Sequence, residues 1–185
     1  ATLPPSEFVS TSYDLQLQRD PSNALLYIER GNEYLELGAY TAAFKDFTRA
    51  IELGKDNLRS QLGLGFAAYH LMRWDVAEQA FQQTLLIDPS TLEAYRGLGH
   101  IYYYKGEYNL AVNAWDSIAE MDREDMEAEA WLAICAGKAG DEDESIGAAT
   151  RAFGRTEDIA LVYIAQSWAK RLQEPADLDG AHGDL

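Results

Sequence analysis

Positions in this chain recur at a fixed offset of 34 residues. One column is Gly31, Gly65, Gly99 and Ala133. A second is Ala43, Ala77, Ala111 and Ser145. A third, large column is Phe47, Phe81, Trp115 and Ala149, and an aromatic one is Tyr40, Trp74, Tyr108 and Glu142. Three copies agree in every column and the fourth departs. Small residues at fixed points let two helix backbones approach, and the large residues beside them fill the gap. One such hairpin cannot bury its own apolar face, so each must stack on the next.

The third copy is the clearest. It reads Tyr95-x-x-Leu98-Gly99-x-x-Tyr102 and then Ala111-x-x-x-Trp115. This resembles the tetratricopeptide signature W-x2-L-G-x2-Y…A-x3-F…P, with Tyr for the first Trp and Trp for the Phe. The resemblance covers about residues 24–157 and implies an all-α, right-handed α-solenoid of about four helix hairpins with a C-terminal capping helix.

The copies fall at about 24–57, 58–91, 92–125 and 126–157 within a solenoid over 21–157. Their helix pairs are expected at 21–37 and 40–53, 57–71 and 74–87, 90–105 and 108–121, and 125–138 and 142–153. Asp20-Pro21 reads as a helix start, a capping carboxylate followed by Pro at the first helical position. Residues 1–20 are an N-terminal arm or short helix whose Phe8, Val9, Tyr13, Leu15 and Leu17 dock on the first hairpin. Residues 158–172 form the cap, with Leu161, Ile164, Ala165, Trp168 and Leu172 on one stripe. Residues 173–185 are an acidic, nearly apolar-free tail expected to be disordered.

Lys and Arg number 15 against 31 Asp and Glu, a net charge of −16. That field repels phosphate backbones and anionic lipid, so nucleic acid and membrane surfaces are poor partners. No apolar run approaches the roughly 20 residues that span a bilayer. The single Cys135 excludes an internal disulfide and reads as a buried, inert thiol. His70, His100 and His182 with one Cys make no zinc set. The Gly63-Leu64-Gly65 and Gly97-Leu98-Gly99 pairs lie inside helices, without the preceding strand and third Gly that a dinucleotide site needs. No nucleophile–base constellation stands out, so the expectation is no catalytic residue, no metal, no cofactor and no enzyme. Nothing marks a compartment, and the cytoplasm is the working expectation. Two acidic clusters, Glu120 to Glu129 and Asp141 to Glu144, read as solvated edges or as a docking edge for a basic partner.

The resemblance implies that the first helix of each copy lines a concave face where ligand segments lie. By the offset of 34, its columns are Leu25, Arg59, Glu93, Glu127; Ile28, Leu62, Arg96, Ala130; Asn32, Phe66, His100, Ile134; Leu35, Tyr69, Tyr103, Gly137; and Glu36, His70, Tyr104, Lys138. The expected groove is a basic, aromatic strip: Arg59, Arg96, His70 and His100 among Phe66, Tyr69, Tyr103 and Tyr104. Arg and aromatic residues are the types enriched at binding hot spots. A further column, Glu29, Gly63, Gly97 and Trp131, leaves two readings open: a hollow for a ligand side chain walled by Trp131, or tight helix packing. The family's carboxylate-clamp positions correspond to Ile28, Asn32, Gly63, Glu93 and Gly97; only Asn32 agrees, which argues against binding of chaperone tails. The expected function is protein–protein interaction, an adaptor or assembly scaffold holding a partner segment with acidic and aromatic or apolar side chains. A small secretion-type chaperone and a self-assembling structural scaffold are the alternatives, with a monomer favoured over assembly.

Overall fold

The structure is a computed structural model and describes residues 10–153. Among the described residues it contains nine α-helices: α1 Ser10–Arg19, α2 Ala24–Glu36, α3 Tyr40–Glu52, α4 Leu58–His70, α5 Trp74–Ile87, α6 Leu92–Lys105, α7 Tyr108–Met121, α8 Met126–Ala139 and α9 Glu142–Phe153. The capping helix and acidic tail expected at 158–172 and 173–185, and Phe8 and Val9 of the arm, lie outside the described residues.

Helix starts differ from expectation in one recurring way. Asp20 does not cap α2. Its carboxylate accepts hydrogen bonds from the Ser22 N–H and hydroxyl, and this turn delays the helix to Ala24. Asp88 does the same with Ser90, so α6 begins at Leu92, and hydrogen bonds from the Ser90 hydroxyl and N–H lower the Asp88 pKa. Where a true cap exists, a side chain supplies it. Asn57 and Ser60 form a reciprocal capping box on α4, and Asp125 accepts from the Ala128 N–H on α8.

Two compact units make up the chain, Ala1–Ile101 and Tyr102–Leu185. In the first unit, α2 packs on α3, α3 on α4 and α4 on α5, with α1 against α2. Its core rings are Phe47 and Phe81, both fully buried. Phe47 lies between two glycines: a Cβ at Gly31 would stand 3.0 Å from its ring, and one at Gly63 only 2.3 Å. Phe81 repeats the arrangement, at 2.6 Å from Gly65 and 2.3 Å from Gly97. The column of Gly31 and Gly65 is therefore a close-approach point filled by the ring of its own copy, and the column of Gly63 and Gly97 one filled by the ring of the preceding copy.

In the second unit, α7 packs on α8 and α8 on α9 around Trp115, Ile118 and Leu132. The departures of the fourth copy are compensated locally. Ser145, in the small column, donates its hydroxyl to the Ala133 carbonyl at 2.9 Å, fully buried. Trp131, in the Gly63 and Gly97 column, stacks on Trp115 with centroids 5.6 Å apart and planes 10° from parallel. A flat ring pair thus replaces the ring-on-glycine contact of the earlier copies.

The N-terminal segment docks only in part as expected. α1 buries Leu17, whereas Leu15 is 57% exposed. Its Asp14 bonds Arg30, whose guanidinium also forks onto Asp46 through two bonds of 2.7 Å. Arg30 stands in the column of Leu64, Leu98 and Leu132, and Asp46 in the column of Ala80, Ala114 and Ala148. An ion pair has replaced an apolar pair in the first copy. The Asp46 bonds raise the Arg30 pKa.

Candidate functional site

The expected site residues fall in both units, and each unit holds its own aromatic group. In the first, α4 presents Phe66, Tyr69 and His70. Phe66 is half-buried with its edge on Phe81, centroids 5.3 Å apart. Tyr69 is half-buried and touches His70 and Trp74, each at 5.4 Å, and His100 at 6.2 Å. His70 is exposed and stacks flat on Tyr40 at 4.1 Å.

The charge of this face differs from the expected strip. Burial first, and the nearby Arg96 guanidinium second, push the His100 pKa down to about 4. His100 is therefore neutral at physiological pH and adds a ring, not a cation. Arg59 is exposed and pairs with Glu29 at 2.9 Å. Ile28, Ala130 and Ile134, expected on the concave face, are instead buried in the core.

In the second unit, Tyr103 is half-buried and packs against Tyr104, Tyr108 and Trp131 with centroids 5.9, 5.8 and 5.3 Å away. Burial raises its hydroxyl pKa. Tyr104 is 61% exposed. The Tyr69–His70–Trp74 group thus recurs as Tyr103–Tyr104–Tyr108 at the repeat offset. The hollow walled by Trp131 is not present: the space beside Gly63 and Gly97 is filled by Phe47 and Phe81, and Trp131 is engaged with Trp115.

A cleft of about 550 Å³ lies on residues of the expected concave columns, Glu29, Asn32, Leu35 and Glu36 of α2 and Arg59 of α4, with Glu33 and, from outside the repeat columns, Tyr13 of α1 completing its lining. Its position depends on α1 forming a wall, which the repeat columns do not encode. Burial first and a hydrogen bond to Glu33 second raise the Tyr13 hydroxyl pKa.

Much of the acidic edge is structural. Asp125 caps α8, and Asp141 accepts from the Glu144 N–H. Glu129 is buried and accepts from Arg151 at 2.9 Å, while Glu144 holds the other end of that guanidinium at 2.7 Å. Glu142 and Asp143 remain exposed. Cys135 is fully buried, and burial pushes its thiol up to about 12. Among the described residues, no helix is long and apolar enough to cross a membrane, and no group of three or more His, Cys, Asp or Glu could hold a metal.

Comparison with known proteins agrees with this architecture. The profile of the Tetratricopeptide repeat family matches residues 28–91 and 96–158. The protein STIP1 homolog of Dictyostelium discoideum is 36% identical over 78 residues, which are 42% of this chain and 14% of that protein. Among solved structures, YrrB, described as a TPR protein with an unusual peptide-binding site, aligns with a TM-score of 0.77 at 21% identity, covering 84% of this chain and 80% of its own. MamA aligns with a TM-score of 0.74 at 21% identity, covering 78% and 84%. These structural likenesses establish fold. The two profile matches span most of the helical region with the columns that pack Phe47 and Phe81 between glycines, and on that ground the chain belongs to the tetratricopeptide repeat family.

Proposed function

We propose that this protein is an adaptor that holds a segment of a partner protein against the aromatic faces of its first-helix columns. Members of the family are generally protein–protein interaction modules, and YrrB carries a peptide-binding site. The observation that carries the reading is the recurrence of one aromatic group in both units, Tyr69–His70–Trp74 and Tyr103–Tyr104–Tyr108, with His70 and Tyr104 exposed. Rings already packed by their neighbours lose little torsional freedom on binding. The partner segment carries aromatic or apolar side chains with acids among them. Arg59 can serve such acids because its pair with Glu29 is exposed, and an exposed pair is worth only about 0–1 kcal/mol and exchanges readily. Phe66, Arg96 and His100 complete the first face, and Tyr103 and Trp131 support the second. The cytoplasmic setting expected from the sequence goes with this reading.

The test is selection of displayed random peptides on the full chain, followed by calorimetry. Selected peptides should combine acids with Phe, Tyr, Trp or Leu. Tyr104→Ala, or Arg96→Glu, should weaken them by at least about tenfold, as central anchors do. Glu142→Lys with Asp143→Lys should leave affinity within about twofold, because those exposed acids are off this face. Selection of basic peptides whose binding is lost in the Lys variant would place the partner on the acidic edge and end the groove reading.

A further inference from the structure

The second candidate surface lies under α1. By the repeat offset α1 aligns with α3, Tyr13 matching Phe47 and Leu17 matching Ile51. It packs on α2, as α3 packs on α4. Its hold is different in kind. α3 buries Ala43, Asp46, Phe47 and Ala50, whereas the described side chains of α1 bury only Leu17. Among the described residues it is also held by polar contacts, Asp14 to Arg30 and the hydroxyl of the half-buried Tyr13 to the Glu33 carboxylate.

The face beneath is built to survive uncovering. In copies two to four, the Arg30 column holds Leu64, Leu98 and Leu132, and baring those would expose core. Both bonds of Arg30 to Asp46 run between α2 and α3 and involve no atom of α1, and Asp14 takes a third contact of the same guanidinium. Its guanidinium also lies 5.6 Å from the Tyr27 ring and 5.8 Å from that of Tyr34. Arg flanked by Tyr is the composition of a binding hot spot. A helix of ten residues is marginal on its own, and elements with few buried contacts open at the low-energy end of the native ensemble.

We propose that α1 is a releasable cover, and that the α2 face under it, which carries Arg30 and Glu33, is a docking site for an amphipathic helix of a partner protein. The side chains of α1 define that helix: an aromatic residue, a carboxylate directly after it to meet Arg30, and Leu three positions further on. This site is separate from the aromatic faces proposed above, and its failure leaves them untouched.

The test uses the full chain. Hydrogen exchange of the unaltered protein should show α1 amides exchanging at least about 100-fold faster than those of α4, as expected for local opening of a low-stability element. Asp14→Arg, which sets like charges together, should release α1 while α2 to α5 keep their protection. A fluorescent peptide with the sequence of residues 10–19 should then bind the Asp14→Arg chain at least about tenfold more tightly than the unaltered chain, whose tethered α1 competes at high effective concentration. The same peptide carrying Arg in place of its own Asp should not bind. Protection of α1 equal to that of α4, loss of protection in α2 and α3 on Asp14→Arg, or peptide binding that fails or does not distinguish the two chains would each overturn the proposal. Dimers of the unaltered chain that dissociate on Asp14→Arg would overturn the partner assignment in favour of a second copy.

Discussion

Met72 is the one non-glycine among the described residues with positive φ, at 56°. Its repeat equivalents are Gly38, Gly106 and Gly140, with φ of 70°, 77° and 89°. The turn between the helices of each hairpin needs a left-handed residue, and the second copy meets that need with a strained one. An L side chain in that conformation costs about 1–2 kcal/mol. Met72 is 73% exposed, so its side chain returns little packing. Glycine also gains about 0.4–1 kcal/mol of entropy in the unfolded chain, which offsets part of the relief. Met72→Gly should therefore raise stability by about 0.5–1 kcal/mol, seen by calorimetry as a melting temperature higher by a few degrees. A fall would mean that the exposed thioether makes a contact worth more than the strain.

Between helices, the governing contact is a ring against a glycine. Alanine is the better helix former by about 1 kcal/mol, which by itself would favour Gly63→Ala. The new Cβ would stand 2.3 Å from the Phe47 ring, which is fully buried and held on its other side by Gly31. Overpacking costs about 1–3 kcal/mol, and a ring pinned from both sides puts this contact in the upper half of that range, about 2–3 kcal/mol, so after the gain in propensity the expected net effect is a loss of about 1–2 kcal/mol in urea titration. Gly147→Ala on α9 is the contrast. Its Cβ would meet only the Arg151 Nη1 at 3.3 Å, the end of that guanidinium not used in the bonds to Glu129 and Glu144, so a shift of a few tenths of an ångström suffices and propensity should win with a gain of about 0.5–1 kcal/mol. Gly63→Ala without loss would mean that Phe47 can yield. These contacts also mark how far the sequence could be read. The helices were legible because propensity, glycine stops and repeat columns agree, and the observed bounds fall within a few residues of those expected. The starts of α2 and α6 fall later than the sequence implies because Asp20 and Asp88 bind Ser22 and Ser90, a local competition that composition does not decide. A column of glycines does not name the ring that faces them, so the sequence does not distinguish a hollow from tight packing. Loss of charge on His100 and the pairing of Arg59 with Glu29 arise from burial and from contact between helices, neither of which a column records.

For the molecule as a whole, a net charge of −16 opposes compaction. Screening falls to about 10 Å at 0.1 M salt, so exposed like charges separate electrostatically while the buried Arg30–Asp46 pair is little affected. The melting temperature should rise between about 10 mM and 300 mM sodium chloride, most steeply at the low end. A fall would show that exposed pairs such as Arg59–Glu29 outweigh the overall repulsion. The seating of Phe47 and Phe81, each between glycines of two successive copies, bears on how such a chain can change length by inheritance. A deletion that joins copy one to copy three sets Phe47 against Gly97, a residue of the same kind it meets at Gly63. A deletion that joins copy two to copy four sets Phe81 against Trp131, whose indole now lies flat on Trp115. The first junction restores a contact of the same kind, a ring on a glycine, whereas the second puts Phe81 in the place of Trp115 and leaves the Trp131 indole a smaller ring to lie on, so the early copies are interchangeable at this contact and the fourth is fitted to the third.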